Sequence, residues 1–485
     1  MVINMKTKLL SLTAALLSAA LLLISCSSSA PNSTEPLESV PSTEVSDSST
    51  QTEKLPETVI IHSGDPDNKI KAEAYLAALP SRSFDGASFI ITSPDTALFD
   101  PSEVSYLSKS ISERNTAVEE KYGVTISCTR SDAGTMLEEA KKNAAAEMFY
   151  SHIMVLPMTS VPYFANENLL MNLRSMPLLD MSQPYFNSSS ADALSLGNKT
   201  FGIAGEALPP STGLCAVFYN KNVADALGIT ELYDISLDGG LTWDKMHEYY
   251  ATAAAGGYVG AVTDGDDVID AMYISTGQRF ISSAEGKIPS VATANYSMNA
   301  AATQYRTVVS DAQAAGITKE GAVDAFKSGN VLFTFAKISE LDKLNGSSVR
   351  LGMLPMPKLD TDSPYIHLAD STTKVFTVTN GVTDSAMVSL VLSALNAASY
   401  GVMTETLSDY LHATTLPDSR SADIFELMSR STYYDLASAY APNISAVSAG
   451  TTGLVRYIIE TGDFSAFDSS VSEANDFFAQ NFPLY

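Results

Sequence analysis

The chain has 485 residues, 45% of them hydrophobic, and 29 Lys+Arg against 55 Asp+Glu give it a net charge of −26. A surface that acidic repels phosphates, which argues against DNA or RNA as a partner while saying little about fold. Three cysteines are too few for a disulfide framework.

The chain opens with Lys6 and Lys8, followed from Leu9 by an apolar run of about 17 residues, the lower edge of a bilayer span. A short positive region before an apolar run reads as a secretory signal over residues 1–25. Leu23-Ile24-Ser25-Cys26 resembles the bacterial lipobox, which implies cleavage before Cys26 and a diacylglycerol on its thiol. An uncleaved anchor or an ordinary cleavage site is the other reading. No later segment approaches the length of a span. Loss of residues 1–25 removes two lysines and no acid, leaving 27 Lys+Arg against 55 Asp+Glu and a charge of −28. Residues 26–56 are rich in Ser, Thr and Pro, too poor in apolar groups to offset their ordering entropy, and read as a flexible stalk. The expected location is the extracellular face of the cytoplasmic membrane, held there by lipid.

About 400 residues remain, too many for one core and suited to two lobes. "ASFIIT" (87–92) reads as a strand. Val104, Leu107, Ile111, Val118 and Tyr122 recur at helical spacing up to Gly123. "VTISCT" (124–129), a helix from Thr135, and "HIMVLP" (152–157) continue the alternation, the pattern of a parallel sheet covered by helices. After "KTFGIAGEA" (199–207) come a strand at 216–220 and helices at 222–228, 243–255, 267–281, 298–315 and 319–328. Strands return at 331–336, 349–357 and 374–379, and a helix at 384–398 begins a helical end. The expected class is α/β.

The chain's one tryptophan, Trp243, stands in "GGLTWDKMHEYY". Thr242 is placed to cap the helix that follows, with Met246, Tyr250 and Ala254 on its apolar face. Trp243 is therefore expected to pack into the lobe rather than to stack on a ligand. Cys128 and Cys215 read as two buried thiols, although the sequence leaves a single disulfide open.

"FYNKNVADALGI" followed by "TWDKMHEYYATAA" closely resembles the extracellular solute-binding proteins of ABC importers, the class of maltose-binding protein. "FKSGNVLFTFAKISELDKL" with "VRLGMLPMPKLD" is similar to the family's strand–turn–helix segment before "PLPK", and "KTFGIAGEA" to its first crossover. The resemblance spans about residues 84–485. It implies a two-lobed periplasmic-binding-protein-like fold, each lobe a mainly parallel sheet flanked by helices, with hinge crossovers. Lobe 1 would hold 80–205 plus 356–410, and lobe 2 would hold 206–355 plus 411–485.

Open α/β sheets bind ligands beyond the carboxyl ends of their strands. On that basis Asp95 and Thr96 follow the first strand, and Thr159 and Tyr163 the third. Glu206 lies on the crossover, at a position often acidic in the family. Lobe 2 offers Asp266, Asp267 and Tyr273, with Lys337 after the strand at 331–336. Asp95 and Glu206 would accept hydrogen bonds from an uncharged, hydroxyl-rich ligand, and Tyr163 or Tyr273 would cover a ring face. Asp95 also fits a turn, Tyr163 a core ring, and Glu206 a solvated hinge charge. "DGDD" lacks the spacing of a calcium loop. Where sugar-binding members carry a tryptophan after the equivalent strand, this chain has "FAKIS".

The resemblance thus implies a monomeric binding protein that delivers a solute, a sugar or oligosaccharide, to ABC permease subunits, with no catalysis, cofactor or metal. A surface sensor or scaffold of the same fold is the nearest alternative. An exported hydrolase is a third, but the chain shows no G-x-S-x-G or H-E-x-x-H motif.

Overall fold

Strands and helices alternate along the chain and assemble two separate four-stranded sheets. The computed structural model describes residues 67–263, 265, 267–282, 287–292, 295–344 and 349–481. Residues 1–25, expected to be a signal, residues 26–56 with Cys26, expected to be a stalk, and Asp266 lie outside the described residues. In chain order the strands are β1 Ala87–Ser93, β2 Val124–Arg130, β3 Ile153–Pro157, β4 Cys215–Asn220, β5 Val259–Thr263, β6 Val331–Lys337, β7 Leu351–Leu354 and β8 Lys374–Val378. The helices used below are α1 Ser108–Tyr122, α2 Ala133–Ala145, α3 Trp243–Ala255, α4 Asp267–Ser275, α5 Asn295–Ala314, α6 Ser385–Ala397, α7 Val402–Thr414, α8 Ser419–Arg430, α9 Leu436–Tyr440 and α10 Thr452–Thr461.

The first sheet has the order β8-β3-β1-β2. β1 runs parallel to β2 and β3, with Ile91 opposite both Cys128 and Ile153, while β8 joins β3 antiparallel. The second has the order β7-β4-β6-β5. Here β5 is parallel to β6, and β4 runs against both neighbours. Each sheet therefore has three strands pointing one way and one opposed. β3, β4 and β5 are apolar along nearly their whole length because helices cover both faces of the sheets.

Helix ends follow local chemistry. α1 stops at Gly123, whose φ of 58° is the left-handed cap that a residue without Cβ adopts at little cost. It starts at Ser108, later than the spacing from Val104 suggests, and Val104 is fully exposed. The Ser108 hydroxyl bonds the carbonyls of Glu103 and Ser105, holding that segment in a turn. The helix expected over 267–281 ends at Ser275, before Gly277 at φ 83°.

Thr242 caps α3 by accepting the Lys245 N–H at 3.2 Å. Trp243 is 1% exposed, its indole stacks on Phe335 at 5.9 Å, and its N–H donates to Ser275 Oγ. The buried stripe of α3 holds Met246, Tyr249, Tyr250 and Ala253, so Ala253 takes the place expected of Ala254. Cys128 and Cys215 are free thiols on different sheets, Cys215 buried and Cys128 half-buried.

Three segments pass between the sheets. The first leaves the short ladder of Phe186–Asn187 with Ala204–Gly205 and reaches β4 at Cys215. The second joins β7 to β8. The third contains α7, which touches α1 beside the first sheet and α8 beside the second. Helix α9 then packs against Met158–Ser160, Val161–Asn166 and Ser188–Ala193 near the first sheet. Among the described residues no single helix is long and apolar enough to cross a membrane.

Candidate functional site

Two polar cavities flank the first and second crossovers. One, of about 310 Å³, opens at the ends of the second sheet. The carboxyl end of β6 places Lys337 there, the first turn of α4 adds Asp267 and Asp270, and α10 supplies Arg456. Asp370 and Ser438 of α9 complete the polar wall.

Four of the charges that line this cavity pair with each other. Lys337 bonds Asp267. Arg456 reaches Asp267 at 2.9 Å and Asp270 at 2.6 Å. Burial alone would raise Asp267 and lower Lys337 and Arg456, but the pairing prevails in all three. Asp267 stays below the ordinary carboxylate range, while Lys337 and Arg456 stay above their ordinary values. The carboxylate of Asp370 accepts from Ser211 Oγ at 2.7 Å, and from the N–H and hydroxyl of Thr372. Gly213 passes so close that a Cβ there would fall 1.5 Å from Asp370 Oδ2. No aromatic side chain lines this cavity among the described residues.

The second cavity, of about 290 Å³, lies across the Ser211–Asp370 contact. Glu206, Lys374 and Arg430 are its charged walls, and Tyr185, Phe186, Tyr400 and Tyr434 its aromatic ones. The Glu206 carboxylate accepts the Gly401 N–H at 3.1 Å. Burial pushes this carboxyl above its ordinary range, an effect opposed by Gly401 and by the charge of Arg430.

The structure brings Asp267 and Lys337 together and separates them from Glu206, so the residues expected at one site divide between two cavities. Asp95 lines neither cavity and pairs at 3.5 Å with Lys374, which lines the second. Thr96 is buried, and its hydroxyl is engaged by Glu103 and Arg130. The carbonyl of Thr159 accepts from Asn443 at 3.2 Å, where the turn after β3 meets the segment following α9. Tyr163 is 47% exposed and lines neither cavity. Tyr273 requires correction as a ring-covering residue: it is 0% exposed, stacked on Phe280 at 5.0 Å, with its hydroxyl on the Arg279 carbonyl. Helix α4 is buried almost all round, so a side chain one turn beyond its start enters the core.

The sequence reading missed Asp270, Asp370 and Arg456. Asp270 stands three residues after Asp267, on the same helix face, and could have been found by that spacing. Arg456 carries no local signal, since Asp270 lies 186 residues away, and the local bonds of Asp370 to Thr372 read only as a turn, its partner across the cavities, Ser211, lying 159 residues away.

Two helix-covered sheets joined by repeated crossovers, with a polar cavity at the strand ends, define the class of two-lobed binding proteins. Residues 114–400, more than half of the chain, match the model of the bacterial extracellular solute-binding proteins. The chain belongs to that family, whose members are exported binding proteins. No curated protein matches it. Among solved structures it is similar to a family 1 extracellular solute-binding protein from Bifidobacterium longum subsp. infantis, with 13% identity, a TM-score of 0.51, and 81% and 99% of the two chains covered. The cyclic alpha-maltosyl-1,6-maltose binding protein from Arthrobacter globiformis gives 12%, 0.52, and 81% and 100%. A cyclo/maltodextrin-binding protein complexed with maltotetraose gives 12%, 0.51, and 81% and 97%. At such identities the likeness establishes the fold alone.

Proposed function

We propose that this protein is lipidated on Cys26, stands on the outer face of the cytoplasmic membrane, and captures an uncharged, hydroxyl-rich solute for an ABC permease. The solute is a sugar or oligosaccharide, held without covalent change between a lobe of 80–205 plus 356–410 and one of 206–355 plus 411–485. The observation that carries this reading is the polar cavity at the carboxyl end of β6, where carboxylates and cations from α4, β6 and α10 converge. Paired charges present fixed donors and acceptors to hydroxyls without requiring a charged ligand. The maltotetraose bound to one structural neighbour and the cyclic alpha-maltosyl-1,6-maltose that another is named for binding support the choice of solute.

A thermal-shift screen of mono- and oligosaccharides followed by titration calorimetry tests this, because a ligand stabilises the folded state it binds. Maltose-type sugars that bind and return unchanged support the reading. Replacing Cys26 by Ala is expected to release the protein from membranes, and mass spectrometry showing an unmodified mature Cys26 would end the anchor claim.

A second reading, a surface scaffold of the same fold, is favoured by the ion-pair network that already engages Lys337, Arg456, Asp267 and Asp270 of the cavity. Scattering in solution that is unchanged by every sugar in the screen would favour it.

A further inference from the structure

The cavity on the other side of the Ser211–Asp370 contact has a different chemistry, and the solute reading does not use it. Its walls come from all three crossovers: Glu206 and Ser211 from the first, Thr373 from the second, Gly401 and Thr404 from the third. In a chain with nearly twice as many acids as bases, two cations, Lys374 and Arg430, face one acid here.

Both cations are loosely held. Lys374 meets Asp95 at 3.5 Å with both side chains more than a third exposed, and Arg430 meets Glu426 only at 4.0 Å along its own helix. The exposed Lys374–Asp95 pair contributes little and gives way readily to a better partner, and the half-buried Arg430–Glu426 pair is at the limit of contact distance. The same cavity has an ordered aromatic wall. Tyr75, behind the cavity, packs edge-on against Tyr185 at 5.8 Å and Tyr400 at 4.9 Å, and Phe186 lies 5.0 Å from Tyr185. A concave site with rigid rings on one side and a few convergent polar groups on the other is the ordinary form of a small-molecule pocket.

We propose that this crossover cavity is a second binding site, which takes a small organic anion with a flat apolar body, its carboxylate on Arg430 and Lys374 and its body against Tyr185 and Tyr400. Because the walls belong to all three crossovers, an occupant meets different surroundings as the lobes change their angle. It therefore shifts that equilibrium by the difference in affinity. The site stands independently of the identity of the solute.

Titration calorimetry of the full chain with benzoate, and with benzyl alcohol as the uncharged counterpart, tests the proposal. Benzoate is expected to bind, benzyl alcohol to bind about tenfold more weakly or worse, and Arg430→Met or Lys374→Met to cost benzoate about tenfold. Thr404→Met, which fills the cavity and leaves its charge alone, is expected to abolish benzoate binding even if a charge variant folds poorly. Saturating benzoate is also expected to change the small-angle scattering of the chain. Equal affinity for benzoate and benzyl alcohol, or no binding of benzoate, overturns the anion site. Loss of benzoate in Arg456→Met with none in Arg430→Met places the anion in the other cavity and likewise overturns it. Unchanged scattering at saturation overturns the coupling to lobe angle.

Discussion

The two cavities differ in how their charges are satisfied. In the cavity at the end of β6, Lys337, Arg456, Asp267 and Asp270 close a network of short contacts, and no aromatic ring among the described residues lines the walls. In the crossover cavity the cations keep distant partners and the rings are plentiful. A closed network fixes the directions of its donors and acceptors, which suits hydroxyls. Loosely paired cations instead favour a ligand that brings its own charge. Two adjoining cavities of similar volume can thus be selective for different chemistry.

The largest effect is expected from Arg456→Met. It leaves Asp267 and the nearly buried Asp270 without their shared cation, and truncating one partner of a buried pair costs about 3 kcal/mol. Arg456 is itself 32% exposed, so water offsets part of that cost. Urea denaturation should show the loss, and sugar affinity should fall with it. A variant as stable as the parent would mean that the network contributes no more than a surface pair.

Asp435 gives a pH test of the wedge formed by α9, whose first turn it caps. Its buried carboxylate accepts the N–H groups of Ala437 at 2.8 Å and Phe280 at 3.2 Å. Burial nevertheless pushes its pKa up to about 6 from an ordinary 3.8, against those bonds and the charge of Arg279. A folded value above the unfolded one means that the folded state holds the proton more tightly. That stabilisation is full below about pH 4 and is lost as pH rises through 6, up to about 3 kcal/mol in all. Asp435→Asn leaves one of those two N–H groups without its acceptor, and it should therefore lower the melting temperature more at pH 4 than at pH 7.5. Equal shifts at both pH values would show that Asp435 does not titrate in this range.

Trp243→Phe removes the indole N–H bond to Ser275 and some buried volume, for a loss of about 2 kcal/mol. Calorimetry should find affinities in both cavities unchanged, since the ring faces Phe335 and lines neither. Loss of sugar binding with stability intact would return Trp243 to the site.

The smallest effect separates the cavities directly. Glu206→Gln removes the one acid from the crossover cavity, so benzoate should bind about threefold more tightly, as expected from removing a partly screened charge. Sugar affinity should stay within about twofold, because Glu206 lies beyond the Ser211–Asp370 contact. A sharp fall in sugar affinity would instead merge the two cavities into one site.

Much of the fold was legible along the chain. Strands such as 87–92 and 331–336 and the helix at 243–255 follow apolar spacing and capping residues a few positions apart. Local periodicity reports which face of an element is buried, and Thr242 and Gly123 act on their immediate neighbours. The errors were local as well. Ser105 and Ser108 delay α1 through side-chain bonds that hydrophobic spacing does not register.

The candidate site was legible only in part. The sequence by itself determined an α/β class, a first helix-covered sheet, and polar residues after strand ends such as Asp267 and Lys337, while a sheet in each lobe was implied by the family resemblance. Only the tertiary structure decided that Arg456 joins Asp267 and Asp270, that Tyr273 enters the core, and that Glu206 belongs to another cavity. The physical reason is range. Periodicity and capping act over a few residues, whereas Asp370 meets Ser211 across 159 positions and Arg456 meets Asp270 across 186. Such contacts are set by how the crossovers turn the two sheets toward each other, and no short stretch of sequence encodes that turn.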